Sequence, residues 1–281
     1  MMKYAICNET YQGWEWATSC RMTAELGYTA IEIAPFTLAE DIRTLGRQER
    51  VDLAKTASEA GLEIVGLHWL LVSPKGLSLT GPDEAVRRDT AEYLAALVDF
   101  CADLGGTMMV LGSPAQRRLP TSDPDNRFAP AEIAAERLQK CLEPALRRAE
   151  LQHVTLCLEP LPAPEADFIL TLREASDLLQ RFDHPNLRTM FDVKSASSEL
   201  LPLADLIRSF APQIAHVHAN DANRRGPGFG ATDFHPVLST LKEVGYSGYV
   251  SVEVFDYTPD PITIARESLR YMRECERTHA D

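Results

Sequence analysis

No two cysteines in this chain are spaced as CxxC, which removes the usual signature of a thiolate metal site or a redox pair. The six cysteines, Cys7, Cys20, Cys101, Cys141, Cys157 and Cys275, are scattered. Cys7 and Cys157 sit in strand-like runs and Cys101 and Cys141 in helical ones. They read as small core residues of a reduced protein, so a cytoplasmic location is expected. Basic charge is also short: 28 Lys and Arg face 41 Asp and Glu, for a net charge of −13. That argues against nucleic acid as a partner, because binding it takes a basic face. No apolar stretch approaches the ~20 residues of a membrane span, so no membrane partner is expected. The opening MMKYAICNETYQG lacks the basic-then-apolar run of a secretion signal. There is no Ser/Gly-rich linker, and no GxGxxG follows the first strand-like run.

What is present is ordinary globular composition, 45% apolar and 25% charged over 281 residues. A single α/β barrel takes about 250 residues, so residues 1–281 are expected to form one domain. Strand-like apolar runs fall at Tyr4–Asn8, Ala30–Pro35, Glu63–Leu70, Thr107–Gly112, Val154–Leu161, Leu187–Lys194, Ile214–Asn220 and Tyr249–Phe255. Segments of helical period lie between them, including Ala85–Leu104, Pro130–Glu150 and Leu172–Phe182. Eight alternations predict the α/β class and a (β/α)8 TIM barrel, with a doubly wound open sheet as the alternative. Two connections exceed what closure needs, Ser113–Phe128 and Asp221–Phe234. Both leave C-terminal strand ends, where this fold carries function.

Four of those runs end in a ligand-type residue: Glu159 in VTLCLEP, Asp192 in LRTMFDVK, His218 in IAHVHAND and Glu253 in YVSVEVFD. Their intervals are 33, 26 and 35 residues, roughly one helix, one strand and two loops each. A separate capping role for each is the bland reading. Four at the same point of four successive units instead predict one metal site at the barrel mouth. Three carboxylates and an imidazole suit one divalent ion, Mn²⁺ first, with Mg²⁺, Co²⁺ or Zn²⁺ as alternatives.

Side chains alternate along a strand, so His216 and His218 point the same way and His216 lies one layer deeper. The same rule pairs Asp192 with Lys194, whose ammonium is a catalytic candidate for stabilising an oxyanion; the alternative is a rim lysine reaching solvent. Glu32 faces inward as a supporting carboxylate or an interior salt bridge. Trp14, Trp16 and Trp69 follow strands one and three, and Trp14 and Trp69 are candidates to pack on a sugar ring. Gln116, Arg117 and Arg118 form either an anion-binding or a solvated basic loop.

With these residues in view, the sequence resembles the xylose-isomerase-like barrels that include D-tagatose and D-psicose 3-epimerases, most strongly over residues 154–256. The resemblance implies the Glu, Asp, His, Glu ligand set on strands five to eight. It implies substrate-binding roles for Glu165, six positions past the first ligand, and for Arg224, six past the histidine in an Asn-Arg-x-x-Pro-Gly-like stretch. Ser195 stands where those epimerases place a substrate-contacting histidine. Abasic-site endonucleases of the endonuclease IV type share the superfamily, and His68 and the Asp233/His235 pair resemble their extra ligands. The missing ligands after strands four and six argue against a nuclease, and His68 is expected to hydrogen-bond substrate, with a buried structural imidazole as the alternative.

The implied reaction is ketose isomerisation or epimerisation through an enediolate, with Glu159 and Glu253 as the acid–base pair. A lyase or dehydratase acting on a keto-sugar or 3-keto-glycoside shares the first step and stays open, as does a metal-binding barrel with little catalysis. A small sugar is the expected partner, with a homo-oligomeric assembly. The RRGPGFG loop leaves a phosphate-bearing substrate open too.

Overall fold

Residues 2–120 and 129–277 are described by the computed structural model. Eight strands run in chain order around a closed parallel barrel: β1 (Lys3–Cys7), β2 (Ala30–Ile33), β3 (Glu63–Leu67), β4 (Met108–Leu111), β5 (Thr155–Leu158), β6 (Leu187–Asp192), β7 (Ile214–Ala219) and β8 (Tyr249–Val252). Closure is direct, with Tyr4 opposite Val250 and Ile6 opposite Val252. The α/β barrel expectation holds, and the open sheet is excluded.

The helices are α1 (Trp16–Glu25), α2 (Arg47–Glu59), α3 (Glu84–Asp103), α4 (Pro130–Gln152), α5 (Leu172–Phe182), α6 (Val193–Ala196), α7 (Leu203–Phe210), α8 (His235–Glu243) and α9 (Pro261–Arg277). Side-chain caps set several starts: Asp83 accepts from the Ala85 and Val86 amides, and Thr171 from Glu174. Gly61, Gly105 and Gly245 close helices at positive φ, as their places before strands predict.

Strands in this fold are covered on both faces, which is why they are short apolar runs rather than alternating ones. Their outer faces pack on the helices through Ile31, Leu67, Leu94, Leu138 and Leu156 on one side of the barrel. On the other, Ile6, Val217, Val250 and Leu269 do the same. Inside, small and flexible residues fill the lower bore: Ala5, Ala30 and Val65, then Val110, Cys157 and Met190. Above that packing, the C-terminal strand ends turn polar. Gly66 permits the narrow β3–β4 approach, since a Cβ there would sit 1.8 Å from the Met108 carbonyl oxygen. Residues 121–128 of the long fourth connection lie outside the described residues. No helix among the described residues is long and apolar enough to cross a membrane.

Candidate active site

Glu159 directly follows β5, Asp192 ends β6, His218 lies on β7 and Glu253 directly follows β8. All four are buried, and one ligand atom from each lies within 4.8 Å of the others. The four residues singled out by spacing thus lie together at the strand ends.

Neighbours fix the orientation of each. His218 Nε2 is 3.0 Å from Glu32 Oε1, and His216 Nε2 is 2.8 Å from Glu32 Oε2. Glu32 accepts a proton-bearing nitrogen on each oxygen, so the His218 Nδ1 faces the cluster. That Nδ1 is buried, has no hydrogen-bond partner among the described residues, and lies 3.3 Å from Glu253 Oε2. A carboxylate–histidine pair with the far nitrogen left open is the arrangement a metal-binding imidazole takes. With three carboxylates beside it, the donor set fits a hard divalent ion.

Two further residues hold the carboxylates. Asn220 Nδ2 donates to Asp192 Oδ2 at 2.6 Å and to Glu253 Oε2 at 3.2 Å. The Trp69 indole donates to Glu253 Oε1 at 2.9 Å. No side chain among the described residues anchors Glu159 in this way. Burial, then the like charges of Glu253 and Asp192, push its carboxyl up to about 8. Burial and Glu253 push Asp192 upward too. Burial also opposes ionisation of Glu253, but the His218 charge outweighs it and holds this carboxyl below its usual range. His218 moves well upward despite burial, because the Glu253 and Glu32 charges surround it.

Over these residues opens a cavity of about 410 Å³, walled by Trp69, Gln116, Glu159, Glu165, Arg224, Glu253 and Phe255 among others. Residues 20–275 match the family described as the xylose isomerase-like TIM barrel. The chain belongs to that family.

Relatives of this xylose isomerase-like barrel include a 3-dehydro-D-guloside 4-epimerase of Escherichia coli K12. It is 26% identical over 196 residues, covering 68% of this chain and 73% of that protein. A D-psicose 3-epimerase of Agrobacterium fabrum is 24% identical over 263 residues, 90% of this chain and 85% of that one. Among solved structures, the apo form of 3-keto-D-glucoside 4-epimerase from E. coli superposes with a TM-score of 0.83 at 20% identity. That match spans 98% of this chain and 100% of the other, and shows a shared fold.

Of the substrate-binding candidates in this barrel, Glu165, Arg224 and Trp69 line the cavity. Trp69 is stacked between Phe36 and Phe255, each ring centroid 5.8 Å away. His68 and Trp14 are not in the wall. β3 ends before His68, whose ring turns inward and bonds Glu9 Oε2 through Nε2 at 2.7 Å with no exposed surface. It is a buried imidazole, and the expected substrate hydrogen bond has no route to the cavity. Trp14 is exposed and packs on Tyr11 at 5.2 Å, while the Trp16 indole donates to Leu53 O on the neighbouring helix.

Lys194 reaches the site by a different path from the strand alternation. The chain turns helical at Val193, and Asp192 caps that turn by accepting from the Ser195 amide at 2.6 Å. The Lys194 ammonium then pairs with both Glu165 oxygens, at 2.8 and 3.0 Å, over the face of Phe255. Glu165 and Lys194 thus neutralise each other. Asp233 bonds His235 at the start of α8 and does not join the four-ligand group.

The sequence reading missed Asn220, although it shares a face with His216 and His218 by the same alternation. Glu9, two residues past Cys7, was missed as His68's partner. Arg118 is exposed, but Arg117 departs from the solvated reading: it is buried, and its three guanidinium nitrogens have no hydrogen-bond partner among the described residues. Burial lowers it to about 10, and Glu159 is the acid that most opposes that shift.

Proposed function

We propose that this protein is a divalent-metal-dependent sugar isomerase/epimerase acting on a ketose or keto-sugar, with Mn²⁺ as the favoured ion. The observation that carries this reading is the buried Glu159–Asp192–His218–Glu253 cluster, with the open His218 Nδ1, at the base of the cavity. Relatives named as epimerases of ketoses and keto-sugars support the reaction class.

Bound there, a divalent ion would supply the Lewis acidity that stabilises the negative charge of an enediolate. The chain supplies the proton movements. Glu253, ionised and held by Trp69 and Asn220, removes the proton from the carbon beside the substrate carbonyl. Glu159, which no side chain among the described residues anchors, returns a proton from the other side. The two carboxylates follow β5 and β8, three strands apart in the closed ring, which suits transfer on opposite faces and inversion of the centre. Trp69 and Phe255 shield the reacting carbon from water.

The test is deuterium uptake from D₂O into ketoses by the Mn²⁺-loaded protein. One deuterium is expected beside the carbonyl. Glu159→Gln and Glu253→Gln should each lose turnover by about a hundredfold or more. Undiminished exchange after chelation, or in both variants, would overturn the mechanism.

A further inference from the structure

One arrangement occurs twice in the bore. At the mouth, Glu32 holds the Nε2 of His218 and leaves its Nδ1 open toward the four-residue cluster. Across the bore, with 5.9 Å between ring centroids, Glu9 holds the Nε2 of His68 at 2.7 Å. The His68 Nδ1 is likewise buried, with no hydrogen-bond partner among the described residues. His68 has no exposed surface, so bulk water does not satisfy that nitrogen. Glu32 Oε1 lies 3.8 Å from it, beyond hydrogen-bond range. In the neutral ring held by Glu9, Nδ1 carries a lone pair with no donor. In the charged ring it carries a proton that Glu32 is too far away to accept. Neither state satisfies a group that burial makes costly to leave alone.

Two further donors meet that nitrogen. One ligand atom each from Cys7, Glu32 and His68 lies within 4.8 Å of the others, and all three residues are buried. Cys7 and Glu32 are register partners on β1 and β2, and His68 directly follows β3. None of the three belongs to the mouth cluster or lines the cavity. We propose that Cys7, Glu32 and His68 hold a second divalent ion, of the zinc type, buried beside the mouth cluster. Thiolate, imidazole and a single carboxylate are the donors a borderline-soft ion takes, unlike the three carboxylates of the mouth. A thiolate and a carboxylate also neutralise a divalent cation, which a dry bore requires. Glu9 supplies the outer carboxylate that orients a metal-binding imidazole. The fourth tetrahedral position falls to a water molecule or to the Ser251 hydroxyl, 3.5 Å from Cys7 Sγ. The ion ties together the ends of the first three strands. Through Glu32 it also bears on how firmly His218 is held. This needs no sugar chemistry and stands apart from the isomerase/epimerase reading.

Cobalt reads the two sites separately, because only one of them contains a sulfur. The full chain is produced with Co²⁺ as the added metal, and its metal content and near-ultraviolet absorption are measured. The wild type should carry about two ions per chain and show a thiolate-to-cobalt charge-transfer band. Cys7→Ser, a substitution of nearly equal size, should remove the band and about one ion per chain. His68→Gln should lose the same ion from a different strand, so the result does not hang on one variant folding. Asp192→Asn should give up the mouth ion and keep the band. Chelator should strip the mouth ion first, since the second has no opening on the cavity. A cobalt-loaded wild type without a thiolate band overturns the inference. A second ion that survives both Cys7→Ser and His68→Gln overturns it too. A band lost in Cys7→Ser, in a chain whose metal content ignores Asp192→Asn, supports the buried site and removes the mouth-metal reading instead.

Discussion

The Trp69 indole N–H donates to Glu253 Oε1 across 2.9 Å, joining the loop after β3 to the carboxylate after β8. Trp69 does this from a left-handed backbone, φ +49°, a conformation that strains a residue of its size. Stacking between Phe36 and Phe255 holds it there. The ring closes the cavity wall while its nitrogen holds the Glu253 carboxylate, so it is a positioning residue as much as a wall.

Trp69→Phe should separate the two roles, keeping an aromatic face and removing the donor. A hydrogen bond to a charged group is worth about 1.5–3 kcal/mol. Turnover should therefore fall about tenfold to a hundredfold, with metal content and the unfolding temperature nearly unchanged. Steady-state kinetics beside metal analysis checks this. Wild-type kcat would show that Glu253 needs no such anchor.

Glu32→Gln addresses the layer below. Glu32 accepts from two imidazoles, and the charges and bonds of His216 and His218 overcome burial to hold its pKa well down. Glutamine has one acceptor oxygen for two N–H donors, so one ring must change tautomer. Metal affinity should drop about tenfold to a hundredfold, and stability by about 3 kcal/mol. Metal titration and thermal unfolding would read the two losses. If only stability fell, Glu32 would be a packing residue with no influence on the ligand.

Metal binding should be strongly pH dependent. In the metal-free protein Glu159 is raised to about 8, and His218 well above its ordinary value. Both therefore hold protons at neutral pH that an ion must displace, so affinity rises with pH up to about 8 and proton release accompanies binding. Folding shows the matching sign. For groups with raised folded pKa, the folded chain binds more protons than the unfolded one. The metal-free protein thus loses stability as pH climbs from about 5 to 8. Calorimetry in buffers of different ionisation enthalpy would count the protons, and a pH-independent affinity would contradict the ligand set.

Gly112→Ala tests how closely Glu159 is seated against β4. A Cβ at Gly112 would lie 2.1 Å from Glu159 Oε2. The carboxylate can swing aside, so the barrel should fold with little change in unfolding temperature. A ligand and acid displaced by an ångström should still cost about a hundredfold in turnover. An active Gly112→Ala protein would show that Glu159 takes another rotamer when it works.

The eight strands and the four-residue cluster at the mouth were legible in the sequence because both depend on short-range regularity. A buried parallel strand is an apolar run, and a residue at its C-terminal end is carried to the mouth whatever the helices do. The period of the alternations fixed the count, and Glu159, Asp192, His218 and Glu253 followed. Alternation within β7 also placed His216 beneath His218. It misled at Lys194, where β6 had already ended and Asp192 capped a helical turn. What no local rule could supply were pairings between distant segments: His68 with Glu9, Glu32 with both histidines, Lys194 with Glu165, Trp69 with Glu253. Those depend on how the closed ring sets the ends of its strands around one bore, and on which polar group burial then forces each to find. The sequence determined which residues arrive at the mouth. The tertiary structure decided which of them face the cavity, because the closing of the ring sets which side chains turn into the buried bore and which line the open mouth.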